Sequence, residues 1–188
     1  MDAVVIAGGI PQPGEPLYPY TQGGAKALLD VAGKPMIQWV LDALTEAQQV
    51  ERIVVIGLTS DSAVTSPKIV STISNQGEML ENIHSGVEEV LRLDPQAHHI
   101  LLVSSDIPAI TGEMVDWMVD TTMQTDHDVY YSVIERQVME ARYPTSKRSY
   151  TRLKDVEVCG GDMNVIRALT VSANDELWRR VIAARKNV

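Results

Sequence analysis

The chain has 188 residues, of which 45% are hydrophobic and 22% charged, with a formal net charge of −9. That length fits one domain able to bury roughly 70% of its extended-chain surface, and no stretch approaches the ~20 apolar residues of a membrane span. The acidic balance opposes broad binding to nucleic acid or anionic membranes, yet local donors and a divalent cation can still hold a phosphorylated small ligand.

Residues 3–7 form a short apolar run closed by Gly8-Gly9, which predicts a buried parallel strand. The absence of a basic leader before it, together with a single cysteine, Cys159, fits an unsecreted, cytoplasmic protein. The following segment, rich in Pro and Gly, predicts a long loop. Pro35 then opens a helix with Ile37, Val40, Leu41, Leu44 and Ala47 on one face. Residues 52–57 predict a second buried strand and 69–73 a third. Asn75 and Glu78 resemble a capping pair for a helix that buries Leu80, Ile83, Val87 and Val90 or Leu91. Residues 100–103 predict another strand, ending at Ser104-Ser105-Asp106. A helix over 111–123 follows, then a strand over 129–134. Residues 136–156 carry Arg136, Arg142, Lys147, Arg148, Arg152 and Lys154 out of 16 basic residues. After Gly160-Gly161 the pattern predicts a short helical segment and a final amphipathic helix with Trp178, Val181, Ile182 and Arg185. The order predicts one α/β domain over 1–188, a three-layer, Rossmann-like architecture around a mostly parallel sheet.

In such a sheet ligands gather beyond the carboxyl ends of the strands. Gly8 and Gly9 belong at that edge, where they serve either as a turn or as a loop letting backbone approach an anionic ligand. Neither the G-x-G-x-x-G spacing nor a Walker sequence is present, since Gly24-Ala25-Lys26-Ala27 does not match one. Asp106 ends an apolar strand before Ile107-Pro108. It can anchor magnesium alongside phosphate oxygens, or it can simply start a turn. His84, His98, His99 and His127 lack metal-ligand spacing, and Cys159 has no evident activating partner.

The blocks Val5-Ile6-Ala7-Gly8-Gly9, Lys26-Ala27-Leu28-Leu29 and Val31-Ala32-Gly33-Lys34-Pro35-Met36-Ile37 resemble the opening signature of MobA-like nucleotidyltransferases. These have a GT-A-like fold and include molybdenum cofactor guanylyltransferase, methylerythritol-phosphate cytidylyltransferase and sugar-1-phosphate nucleotidyltransferases. The resemblance implies transfer of a nucleotidyl group from a nucleoside triphosphate to a small phosphorylated acceptor, with Mg2+ as cofactor. It implies that Ala7, Gly8 and Gly9 lie along the nucleotide, that Lys26 contacts phosphate and that Asp106 binds the metal. It places Gly77 and Asn82 at the base and ribose, although an ordinary helix cap explains the same residues. Arg142, Arg148 and Arg152 are acceptor candidates in a segment that otherwise reads as a solvated hairpin. Gly161, Asp162 and Asn164 resemble the segment closing the acceptor pocket.

One departure is evident. Relatives follow the glycines with a G-x-R arginine, whereas residues 10–25 contain no Arg or Lys. A binding or regulatory module without turnover therefore stands as the alternative, with a sugar-nucleotide glycosyltransferase third. Relatives also carry a later acidic segment, so ending at Val188 reads as either a short member or a truncated piece. A homodimer stays open.

Overall fold

The computed structural model describes residues 1–173 together with Glu176, Trp178 and Arg180. The first strand, β1 (Asp2–Ile6), is followed by the long loop, which contains one short helix, α1 (Tyr18–Thr21), and a 3₁₀ turn at Lys26–Leu28. A two-residue hairpin, β2 (Asp30–Val31) and β3 (Lys34–Pro35), leads into α2 (Met36–Glu46). Its turn residues Ala32 and Gly33 both have positive φ, the backbone that matches the twist of paired strands. Next come β4 (Ile53–Ile56), β5 (Ile69–Ile73), α3 (Met79–Leu93), β6 (His99–Ser104), α4 (Gly112–Thr122) and β7 (Val129–Glu135). The chain continues through α5 (Arg136–Arg142), β8 (Thr151–Arg152), β9 (Glu157–Arg167) and α6 (Ala168–Ala173).

The main sheet runs β5-β4-β1-β6-β9-β7, with β8 added beside β9. β5, β4, β1 and β6 are parallel, while β9 pairs antiparallel with both β6 and β7. Alternate residues of each strand feed two separate cores. Ala3, Val5 and Leu101 pack with Ile37, Leu41, Leu44 and Val115, so α2 and α4 cover one face. Val4, Val54 and Ile100 pack with Val87, Val90 and Val171, so α3 and α6 cover the other. All five apolar positions predicted for α2 are buried. The result is a three-layer α/β fold around a mostly parallel sheet. No described helix is long and apolar enough to cross a membrane.

Three local expectations are corrected. Gly160-Gly161 lie inside an eleven-residue strand, β9, which runs on to Arg167, so the short helical segment predicted after the glycines begins only at Ala168. A break in its pairing hides its alternation: Tyr131 faces Asn164 while Val133 faces Gly160. Glu78 occupies the N-cap of α3 without any side-chain cap hydrogen bond, so the Asn75–Glu78 pair does not cap as predicted. The basic segment is not a plain hairpin either, since its first seven residues form α5. Of the last predicted helix, Val181, Ile182 and Arg185 lie outside the described residues. Trp178 donates its indole N–H to Thr170 O at 3.2 Å.

Candidate functional site

The parallel register sets the site. Ile6 of β1 lies opposite Ser104 of β6, so Gly8 and Asp106 each sit two residues past the same rung. The Ser105 N–H donates to Ile6 O at 3.2 Å and holds the two strand ends together. Both loops therefore open onto one cleft of about 540 Å3, whose walls include Gly8, Gly9, Lys26, Gly77, Asn82 and Asp106.

Lys26 reaches this cleft because the long loop returns to its own starting point. The Lys26 N–H donates to Gly9 O at 2.9 Å, and the Lys26 stem lies over Gly9, where an added Cβ would come within 2.8 Å of Cε. Lys26 Nζ donates to Asp106 Oδ2 at 2.6 Å. Both side chains keep about one-third exposure, at 32% and 34%, so each remains open to a ligand. Two residues eighty positions apart in sequence thus meet as an ammonium–carboxylate pair at the cleft floor.

The opposite wall is built from amides. Asn75 Nδ2 donates to Gly8 O at 2.9 Å, and Asn75 Oδ1 accepts from Gly77 N at 3.0 Å and from Asn82 Nδ2 at 3.0 Å. Asn82 is only 2% exposed. Its Oδ1 accepts from Gln76 N at 2.9 Å, and Nδ2 also donates to Glu78 O at 3.1 Å. The Asn82 amide thus shapes the loop and has little capacity left for a ligand. Gly77 has φ +106° with open space where a side chain would stand, which suits close approach of a flat group.

Sequence reasoning missed two residues that position the glycine loop. Asn75 matters as the clamp on Gly8, a role that needs the ends of β5 and β1 brought to one sheet edge with β4 between them and so leaves no local signal. Gly57, just past β4, has φ +104°, and an added Cβ would lie 2.1 Å from Gly8 N. It lets the glycine loop settle against β4.

The acceptor candidates scatter. Arg142 lies beside the Tyr143 ring, 5.9 Å from its centroid, and Arg152 is exposed on β8. Arg148 is different: Nη2 donates to Gly160 O at 2.9 Å and stands 3.6 Å from Asp162 Oδ2. With Asp162 and Tyr131 it lines a recess of about 300 Å3. Burial works to lower the Arg148 pKa, but its contacts with Cys159 and Asp162 outweigh this and raise it. Gly161 makes room for Ser132, whose Oγ would meet a Cβ there at 2.1 Å. Asn164 Oδ1 accepts the Ser132 N–H at 2.9 Å, a contact that secures the irregular β7–β9 pairing.

Among the described residues no group of three or more His, Cys, Asp or Glu side chains could cage a metal ion. The donor set instead suits a magnesium ion that arrives with phosphate oxygens and needs one or two protein carboxylates. Asp106, hard, half-open and at the strand end, fits that pattern.

Comparison with known proteins bears on this arrangement. No protein among those with curated descriptions matches the sequence. Among solved structures, a hypothetical transferase from Thermus thermophilus is 30% identical with a TM-score of 0.79, over 98% of this chain and 73% of that one. A CMP:2-keto-3-deoxy-manno-octonic acid synthetase complexed with CTP is 18% identical with a TM-score of 0.60, covering 93% and 77%. The 2-C-methyl-D-erythritol 4-phosphate cytidylyltransferase of Francisella tularensis is 10% identical with a TM-score of 0.64, covering 98% and 81%. The last two share the fold alone, which is the GT-A-like arrangement of nucleotidyltransferases. The family model of the MobA-like NTP transferase domain matches residues 3–183, and the chain belongs to that family.

Proposed function

We propose that this protein transfers a nucleoside monophosphate from a nucleoside triphosphate to a small phosphorylated acceptor, with magnesium, releasing pyrophosphate. The observation that carries this reading is the 2.6 Å Lys26–Asp106 pair on the floor of the cleft walled by Gly8 and Gly9. A polyphosphate bound there would lie along the Gly8-Gly9 backbone and within reach of the Lys26 ammonium. In the transfer an acceptor phosphate oxygen forms a bond to the α-phosphorus while the bond to the bridging oxygen breaks, and that oxygen leaves with pyrophosphate. Negative charge grows on the α-phosphate oxygens, and a fixed ammonium offsets it. Asp106 would hold the magnesium, which supplies further neutralisation of phosphate charge. No side-chain nucleophile is needed, since the acceptor brings its own.

A pyrophosphate-release assay with each nucleoside triphosphate, magnesium and a panel of phosphorylated acceptors tests this. CTP comes first in the panel, because two fold neighbours are named for CTP or cytidylyl chemistry. Asp106→Asn should reduce turnover at least about 100-fold while unfolding stays cooperative. Unchanged turnover in that variant would remove Asp106 from the mechanism.

A binding module without turnover is the second reading, favoured by the absence of any Lys or Arg in residues 10–25. It predicts nucleotide-dependent thermal stabilisation with no pyrophosphate released from any acceptor.

A further inference from the structure

The cleft that holds Lys26 and Asp106 has two unlike walls. Lys26 is the one cation among the described residues lining it, so phosphate belongs at that end. The other wall carries Asn75, Gly77, Glu78, Met79 and Asn82. The Glu78 carboxylate there opposes phosphate, while exposed Met79 and the open space over Gly77 suit an uncharged, flat group. The two walls stand on strands that do not pair. β4 lies between β1 and β5, which sets their ends roughly 10 Å apart at two strand spacings. A backbone hydrogen bond cannot span that gap, and the Asn75 side chain crosses it. Gly57, just past β4, has no side chain to block Gly8, and an added Cβ at Gly8 would lie 2.8 Å from Asn75 Oδ1. Gly8, Gly57 and Asn75 therefore interlock.

We propose that Asn75 is a positioning residue for the nucleotide: it locks the phosphate-side glycine loop to the nucleoside-side Gly77 loop, so that the site takes a whole nucleoside triphosphate in preference to its phosphate end alone. The proposal rests on the nucleotidyl-transfer reading and adds a determinant of what that site selects. Asn75 uses one amide in both directions. Nδ2 donates to Gly8 O at 2.9 Å, while Oδ1 accepts from Gly77 N and Asn82 Nδ2, each at 3.0 Å. Aspartate would lack the donor, leucine would lack both functions, and glutamine is one methylene too long. With Gly8 O held, the trans peptide turns the Gly9 N–H to the opposite edge. The Lys26 N–H holds the next carbonyl, Gly9 O, at 2.9 Å. No described residue accepts from the Gly9 or Ile10 N–H, which leaves two successive donors for phosphate oxygens. Fixing both loops in advance spares the ordering cost for a ligand that touches both. A ligand that touches only one loop gains little from the bridge.

Titration calorimetry of the full chain with magnesium tests the role, with ATP, GTP, CTP, UTP and inorganic tripolyphosphate as probes. In the parent, the preferred nucleoside triphosphate should bind at least about tenfold tighter than tripolyphosphate. Asn75→Ala should weaken that nucleotide about tenfold or more and tripolyphosphate less than about threefold, so the preference shrinks. A loss of stability alone would not move this ratio. Asn75 is exposed, so the variant should fold, and urea unfolding checks that it does. Asn75→Leu keeps the side-chain bulk without either hydrogen bond, and it should give the same loss of preference should Asn75→Ala not fold. An unchanged preference in the variants overturns the role of Asn75 and leaves the nucleotide reading standing. So does a parent that binds a nucleoside triphosphate no more tightly than tripolyphosphate. A parent that binds none of the four nucleotides takes the nucleotidyl-transfer reading down as well.

Discussion

Lys26 and Asp106 form their contact with about one-third of each side chain exposed, a setting in which an ion pair contributes at most about 1 kcal/mol to stability. Its place in the cleft therefore points to ligand chemistry more than to holding the fold. Lys26→Met should change the unfolding free energy in urea by less than about 1 kcal/mol. Pyrophosphate release in the same variant should fall by about 100-fold or more. A large loss of stability with intact turnover would assign the pair a structural role. Gly57 is the converse case. Any side chain there meets the Gly8 backbone and must adopt φ +104°, so Gly57→Ala should destabilise by about 2–4 kcal/mol, measured by urea denaturation. A neutral effect would show that the glycine loop does not rest on β4. Lys26 and Asp106 were each legible as single residues, one through the family signature and one as the end of an apolar strand. Gly57 and Asn75 were not. Their roles exist only once β4 pairs with β1 and β5 with β4, bringing all three strand ends to one edge, and no local pattern encodes that neighbourhood.

Among the elements, α3 shows how closely the helices must approach the sheet. An added Cβ at Gly86 would lie 2.5 Å from Val4 Cγ1, so Gly86→Ala should overpack the second core by about 1–3 kcal/mol, read as a lower urea midpoint. The start of α2 is fixed by charge as well as packing. Lys34 pairs with Asp42, and Gln38 Nε2 donates to Asp42 Oδ1 at 2.7 Å. Burial acts to raise the Asp42 pKa, but hydrogen bonds from Lys34 and Gln38 outweigh it and hold the carboxyl below its ordinary 3.8. A depressed folded-state pKa gives stability that is present above the unfolded value and lost as pH falls through the folded one. Asp42→Asn should therefore be less stable than the parent at pH 7, with the gap closing in acid below the ordinary value. A gap that does not change with pH would contradict this. Period and flanking residues revealed α2, α3, α4 and the parallel strands, because each buries one regular face. β9 escaped because Gly161 and the widened pairing opposite Ser132 interrupt its alternation, leaving Met163 to Ile166 without a strand period.

At the scale of the whole molecule, two apolar cores cover the faces of the sheet, and the described residues hold no cluster of three or more His, Cys, Asp or Glu that could cage a metal. Removing magnesium with EDTA should abolish turnover while leaving the unfolding temperature of the ligand-free protein unchanged; a fall in that temperature would reveal a structural ion. The order of elements from β4 to β7 and the two-sided burial followed from the sequence, whereas α5 and the β9 strand did not, and the antiparallel pairing of β9 with β6 and β7 depends on contacts distant in the chain. The central claim is that Lys26 and Asp106 share a polyphosphate in the Gly8-Gly9 cleft. Thermal shift with each nucleoside triphosphate, with and without magnesium, on the parent, Lys26→Met and Asp106→Asn tests it most directly, because a ligand of the native state raises its stability by mass action. The account predicts a magnesium-dependent rise with at least one triphosphate in the parent and loss of most of it in both variants. An equal rise in all three proteins would contradict it.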